Sequence, residues 1–181
     1  LPRPASFLFL YLLGMFVLLR ILNVNPWLAV VGAIAFAFSS YFFVILPAGH
    51  TSKANAIGYM PMVLGGVYML YRGRMFLGAA LLALFLGLQV MVNHVQVSYY
   101  LAILLVLFVL AEAVRAFRAG TAADFLKRSG LGVVAVTLAL LCNIGMLWST
   151  LEYGKFSTRG KSELTITPSG ASAEGVRTGG L

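Results

Sequence analysis

The chain has 181 residues, of which 61% are hydrophobic and only 10% charged, and its net charge is +8. Soluble globular domains are typically about a quarter charged, so the composition excludes that class and predicts an integral membrane protein. The positive charge does not predict nucleic-acid binding, because no basic patch with interleaved aromatic residues lies outside the apolar runs. Lys and Arg gather instead in the cytoplasmic loops of membrane proteins.

Six apolar runs are about long enough to cross a bilayer, which takes roughly 20 helical residues. We therefore predict an all-α, polytopic transmembrane bundle over residues 1–151. Residues 152–181 are rich in Gly, Ser and Thr, and we expect them to form an irregular polar tail, truncated at its end. In chain order the six runs cover residues 5–22, 27–47, 54–71, 75–92, 95–113 and 130–151.

Small and polar residues within the runs predict how the helices pack. Small side chains at every fourth position allow helices to approach closely in lipid. Pro61 predicts a kink or a late start of the third helix, and Asn143 predicts an interhelical hydrogen bond in the sixth. The polar residues 119–129 predict a short interfacial helix, and Cys142, the only cysteine, is expected to fill space between helices. The small residues of the second and fourth runs are Ala29, Ala33, Ala37, Ala79, Ala83 and Gly87.

The distribution of basic residues predicts an orientation. Six spans place both termini on one side, and the turns between them alternate. One side receives only Arg3 and Lys53 in its short segments, and the other receives seven cations, which predicts that the second side faces the cytoplasm. Both termini and the polar tail then lie outside. The seven are Arg20, Arg72, Arg74, Arg115, Arg118, Lys127 and Arg128.

A first polar hinge, Gly49 to Asn55, separates the second run from the third and falls on the predicted outer side. It contains His50 and Lys53. Lys supplies a point charge and His can donate or accept a proton near neutral pH, so the pair predicts a pocket for an anionic group such as the phosphate of a lipid carrier. The alternative is an interfacial loop whose polar residues meet water.

A second polar hinge follows one helical hairpin later, on the same predicted side. Asn93 and His94 interrupt the helix without Gly or Pro, which requires side-chain bonding to the backbone. Together with Gln96, Tyr99 and Tyr100 they predict a lining of donors and acceptors for a sugar or a lipid headgroup. The alternative is a helix cap followed by an aromatic interfacial belt.

The sequence contains no self-contained catalytic set. No Ser-His-Asp arrangement, phosphate-binding loop or paired carboxylates can be assembled, and no catalytic residue is assigned. His50 and His94 make a poor metal site without a nearby carboxylate or thiol, so no metal is expected. Glu152 and Lys155 end the sixth run, where Glu152 is either a headgroup contact, a general acid/base, or simply solvated.

Several of these segments resemble the YfhO-type bacterial multispan membrane proteins. They include Pro26-Trp27, residues 32–41, residues 49–53, residues 93–100 and residues 152–165, so the resemblance covers nearly the whole chain. It implies the GT-C fold of glycosyltransferases that move a sugar from a polyprenyl-phosphate donor at the outer face of the bacterial inner membrane. It also implies an internal piece that follows one or two further spans.

The resemblance assigns the polar lining to particular residues. The catalytic Asp of such enzymes usually lies in an earlier outer loop, and no residue here matches it, so catalysis is not carried over. Two other classes remain open: a structural or accessory subunit of a larger membrane complex, and a transporter. Against a transporter, the polar groups gather at one face and not at the midplane. The binding residues implied are His50, Lys53, Asn93, His94, Gln96, Glu152, Lys155 and Arg159, with Tyr100 added from the second hinge.

Overall fold

The computed structural model describes residues 4–155, and all regular elements among them are α-helices. They divide into two units, one ending at Asn143 and one beginning at Ile144, and the second contains only the last helix. The all-helical class predicted from the sequence is confirmed. The helices are α1 (Ala5–Ile21), α2 (Pro26–Ala37), α3 (Ser40–Ile45), α4 (Thr51–Arg72), α5 (Met75–Met91), α6 (Val95–Arg118), α7 (Ala122–Leu141) and α8 (Ile144–Lys155).

Helix α4 is the centre of the first unit. It packs against α1, α3, α5, α6 and α7, and half of its residues are buried. Its closest neighbour is α5, and glycines bring the two backbones together. A β-carbon at Gly66 would lie 2.8 Å from the Leu82 nitrogen, and one at Gly78 would lie 2.3 Å from the Leu70 nitrogen. Only glycine fits such contacts, which in lipid replace the hydrophobic force as the source of helix association.

A second cluster joins α1, α2 and α3 to the start of α4. Tyr11 is fully buried, its hydroxyl donates to the Ala54 carbonyl oxygen at 2.9 Å, and its ring stacks on Phe42 with centroids 4.2 Å apart. The small stripe predicted in the second run is buried as well. It consists of Ala29, Ala33 and Ala37.

Two apolar runs are interrupted where the sequence predicted continuous spans. The run 27–47 is divided between α2 and α3 at Ser39, whose ψ of 136° is extended. The run 130–151 is divided between α7 and α8 near Asn143. The expected interfacial helix over 119–129 is not separate, because α7 begins at Ala122 and continues into the apolar run. Nor does Pro61 delay the third helix, since α4 is helical from Thr51.

Two helical segments are long and apolar enough to cross a membrane, namely Pro26–Ile45 and α6, and a third is counted if α7 and α8 form one broken span. Helices α1 and α5 are apolar but have 17 residues each. The described residues therefore show two to three candidate spans, and the count of six is not confirmed. Large apolar side chains lie exposed on the outer helices, as expected for a lipid-facing surface, whereas the less apolar α4 is enclosed by its neighbours.

Candidate functional site

The α4–α5 hairpin determines which polar residues share an end of the first unit. Gly66 lies against Leu82, and Leu70, four residues later in α4, lies against Gly78, four residues earlier in α5. The two helices are therefore antiparallel. The start of α4 and the end of α5 therefore lie at the same end, which we call the hinge end (residues 46–55 and 89–96). The opposite end, where α4 ends and α6 meets α7, is called the basic end (residues 70–75 and 112–129).

The first hinge places His50 and Lys53 on either side of the start of α4. His50 is exposed and directly precedes the helix, and Gly49 has a φ of 75°, which favours glycine. Lys53 is half-buried, and its ammonium group lies 5.2 Å from the centre of the Tyr41 ring. A cation over an aromatic face is held electrostatically, so Tyr41 fixes this charge near the start of α4.

The second hinge is formed by a backbone reversal and a cap. Asn93 has a φ of 54°, in the left-handed region that Asn tolerates better than most residues, and α5 ends just before it. His94 then caps α6, its Nδ1 accepting the Val97 amide proton at 3.4 Å. His94 therefore forms the helix cap that the sequence offered as the alternative interpretation of this hinge. Because Nδ1 accepts, a neutral His94 carries its proton on Nε2, which makes Nε2–H a donor.

Polar groups continue into α5 and α6 behind this hinge. Gln96 donates to the Tyr100 hydroxyl at 3.4 Å, and both residues are exposed. Gln89 is 0% exposed, and its Nε2 lies 3.4 Å from the Ser98 hydroxyl. Its Oε1 is the buried side-chain oxygen without a hydrogen-bond partner among the described residues. A buried carbonyl without a donor costs free energy, so this position favours a ligand or water that supplies one.

Three further sequence-predicted site residues lie outside the first unit, so the structure does not test whether they belong to the hinge end. Glu152 is exposed on α8, in the second unit, and Lys155 is the last residue of that helix. Arg159 lies outside the described residues. Their part in a site stays a prediction, as does the reach of one ligand from His50 to His94. If the α4–α5 register continued unchanged to the hinges, His94 would lie opposite Ala54. Ala54 is one turn of α4 after His50.

The basic end contains a charge cluster that the sequence analysis did not single out. Glu112 of α6 is 1% exposed, and each of its two carboxylate oxygens is bound by one arginine. Arg72 Nε donates to Oε1 at 2.7 Å, and Arg115 Nε donates to Oε2 at 2.8 Å. The Nη2 atoms of both arginines lie within 2.7 Å of the same oxygens.

A cavity of about 460 Å³ opens beside this cluster, between α4, α6 and the start of α7. Arg128 of α7 also borders it and donates to the carbonyl oxygens of Leu70 and Tyr71, at 2.9 and 2.8 Å. These carbonyls lie in the last turn of α4, where the helix leaves its acceptors unpaired. The other lining residues are Tyr71, Arg72, Glu112, Arg115, Ala116, Thr121, Asp124 and Phe125.

One signal in the sequence was enough to find Glu112. It is the sole acidic residue within any of the six apolar runs, and an ionisable residue inside a span is by default a functional hypothesis whose partner should be sought. The sequence alone did not reveal that Arg72, forty residues earlier, is one partner. That pairing depends on how α6 packs against α4.

Residues 4–155 bring no three His, Cys, Asp or Glu side chains together as a metal site. The fold and the two polar ends define the class: an all-helical protein with a lipid-compatible surface and two to three helices able to cross a membrane. Comparison of the chain with protein-family models, with curated proteins and with solved structures gave no match.

Proposed function

We propose that this protein is the core of a YfhO-like glycosyltransferase of the GT-C type in the bacterial inner membrane. Its hinge end binds the headgroup of a polyprenyl-phosphate-linked sugar or glycan. The observation that carries the proposal is the segregation of the first unit into two ends. Six cations lie at the basic end, a seventh, Arg20, lies in the last turn of α1, and the two histidine hinges lie at the hinge end.

This segregation supports an orientation. Lys and Arg are enriched in short cytoplasmic loops, so the basic end faces the cytoplasm and the hinge end faces outside. In the proposed six-span frame, α2–α3 and α7–α8 each cross once, and α1, α4, α5 and α6 cross singly. Helices of 17 residues rise about 25 Å and match a locally thinned bilayer. Helix α4 crosses despite its polar residues because five neighbouring helices shield it.

The charges at the hinge end suit a phosphate. Residues 46–55 and 89–96 contain Lys53, His50 and His94 but no carboxylate. An anion there meets donors without facing a fixed negative charge. The Lys53 ammonium supplies the charge, and the His94 Nε2–H, oriented by the cap at Nδ1, supplies a directed hydrogen bond.

Amide groups at the same end suit a sugar. Asn93, Gln96 and the buried Gln89 offer both donors and acceptors, and the Tyr100 ring gives an apolar face next to them. Binding sites for neutral polar groups gain their selectivity from such buried polar atoms, which are costly when left unpaired.

The absence of a carboxylate in the two hinges favours one alternative, a non-catalytic accessory subunit of a larger membrane complex. Transfer by a GT-C enzyme needs a catalytic Asp that this chain does not supply. Binding and transfer must therefore be measured separately. An accessory subunit would show neither headgroup binding nor dependence on His94.

The decisive experiment measures binding of undecaprenyl phosphate and undecaprenyl-phosphoglucose to the purified chain in nanodiscs. We expect His94→Ala and Lys53→Gln each to weaken binding by about tenfold, the loss expected for a charge-assisted hydrogen bond. Ser52→Ala, an exposed change next to Lys53 in the first hinge, is the matched control. Equal binding by all four proteins would reject the hinge-end site.

A further inference from the structure

We propose that the cavity at the basic end is a second binding site, specific for the phosphodiester of an anionic phospholipid headgroup. It is separate from the hinge-end site, because it lies at the opposite end of the α4–α5 hairpin. In the proposed orientation it faces the cytoplasmic leaflet. Its walls are contributed by α4, α6 and the first two turns of α7.

Glu112 holds Arg72 and Arg115 in an orientation that allows them to bind a further anion. Each guanidinium has five N–H donors, and the contacts to Glu112 use the Nε and Nη2 atoms of Arg72 and Arg115. The side chains of Arg72 and Arg115 remain 44% and 52% exposed. The carboxylate thus holds both guanidinium groups at the cavity wall, where Arg72 also lies 5.9 Å from the centre of the Tyr68 ring. Orienting donors in advance lowers the entropy cost of binding.

The helix ends around the cavity add to this preference. Arg128 covers the carbonyls at the end of α4 and removes acceptors that would repel an anion. The start of α7 borders the cavity through Thr121 and Asp124, and Thr121 makes no side-chain cap. Amide groups of a first helical turn carry partial positive charge and bind anions.

The net charge of the lining selects the class of anion. The lining contains the three cations Arg72, Arg115 and Arg128 and the two carboxylates of Glu112 and Asp124, which leaves a single positive charge. A phosphodiester carries one negative charge, whereas a phosphate monoester carries close to two at neutral pH. Asp124 is exposed at the cavity and penalises the second charge. A phosphodiester at the membrane surface is the headgroup linkage of a phospholipid.

The proposal is tested by titrating the detergent-purified chain with dioctanoyl phosphatidylglycerol, dioctanoyl phosphatidylcholine and inorganic phosphate, with binding followed by thermophoresis. We expect phosphatidylglycerol to bind about tenfold more tightly than either other ligand, and Arg115→Gln to abolish most of that difference. The matched control is Lys127→Gln, which removes an exposed cation from the same end but outside the cavity lining. It should change affinity less than about twofold.

If Arg115→Gln fails to fold, the site can still be tested with a variant at an exposed residue whose side chain does not pair with a buried group. Asp124→Asn removes an exposed negative charge from the lining, and we expect it to tighten phosphatidylglycerol binding several-fold and phosphate binding by more. Equal losses in Arg115→Gln and Lys127→Gln, or unchanged affinity in Asp124→Asn, would show general surface electrostatics and overturn the site. Phosphate binding as tightly as phosphatidylglycerol would overturn the lipid assignment.

Discussion

Arg72 Nη2 lies 2.6 Å from Glu112 Oε1, although the two residues are forty positions apart and belong to different helices. The carboxylate is buried and the guanidinium is about half exposed, so the pair sits at the boundary between the interior and the surface. This contact joins α4 to α6 at the basic end.

Breaking this contact should destabilise the bundle. We expect Arg72→Met to lower the unfolding free energy in detergent by about 2 kcal/mol, less than the full cost of an unpaired buried charge because Arg115 still pairs with Glu112. The measurement is chemical or thermal unfolding of the purified protein. Arg74→Met, which removes the exposed cation two residues away, is the control. Equal effects of the two variants would mean that the ion pair contributes nothing specific.

Adding a side chain between α4 and α5 should separate them. A β-carbon at Gly78 would meet the Leu70 nitrogen at 2.3 Å, so we expect Gly78→Ala to cost about 2 kcal/mol or more in unfolding free energy. Gly130→Ala is the matched control, because nothing lies within 4 Å of a β-carbon at that position. In the control, alanine should be neutral or slightly stabilising within the helix. An unchanged unfolding free energy in Gly78→Ala would contradict the close packing of α4 on α5.

Asn143 should contribute modestly to the packing of α7 on α5. Its Nδ2 donates to the Gly87 carbonyl oxygen at 3.0 Å and to the Ala139 carbonyl oxygen at 2.8 Å. We expect Asn143→Leu to reduce stability by about 1 kcal/mol, in the range of interhelical hydrogen bonds in membranes. The neighbouring exposed residue offers a control in Cys142→Ala. If the control is equally destabilising, the hydrogen bond is not responsible.

The proposed orientation can be tested with single cysteines in a background lacking Cys142. A cysteine at Ser52, in the first hinge, should react with a membrane-impermeant maleimide added to intact spheroplasts. A cysteine at Lys127 should react only after the membrane is opened. Both positions are exposed in the structure, so a difference in labelling reports sidedness and not burial. The reverse pattern would place the hinge end in the cytoplasm.

A disulfide test examines the extension of the α4–α5 register to the hinges. Cysteines at Asn55 and Asn93 face each other if the antiparallel register continues to the end of the hairpin, and they should cross-link readily under mild oxidation. Cysteines at Asn55 and Val97 are offset by about one turn and should cross-link poorly. Efficient cross-linking of the second pair alone would show that the two hinges are displaced.

The sequence predicted what depends on local pattern. Helices α1 and α5 begin and end within one residue of two apolar runs, and the interhelical hydrogen bond of Asn143 is confirmed. Such features follow from periodicity and from the cost of an unpaired amide in lipid. The expectation that Cys142 fills space between helices was wrong, since the residue is exposed. Its position on the helix surface depends on how α7 turns towards α5.

What depends on contacts between distant segments was not predictable. The break at Ser39 falls at the serine pair Ser39-Ser40 within an apolar run, and two serines in a span do not by themselves specify an extended residue. Glu112 could be found from the sequence, but its pairing with Arg72 depends on how α6 packs against α4. The role of Gln89 depends on α5 and α6 leaving its Oε1 without a donor among the described residues. The candidate site residues His50 and His94 lie in turns, where polar residues interrupt apolar sequence and can be recognised directly.

The enclosed position of α4 has a consequence for biogenesis. Its sequence is not apolar enough to be counted among the candidate spans of the described residues, yet it contacts most of the other helices. A segment of this kind partitions weakly into the bilayer by itself when it leaves the translocon. We expect it to be retained only together with α5, as a paired insertion unit. Lengthening the Gly73-Arg74 connection should therefore lower the yield of inserted protein before it affects any activity.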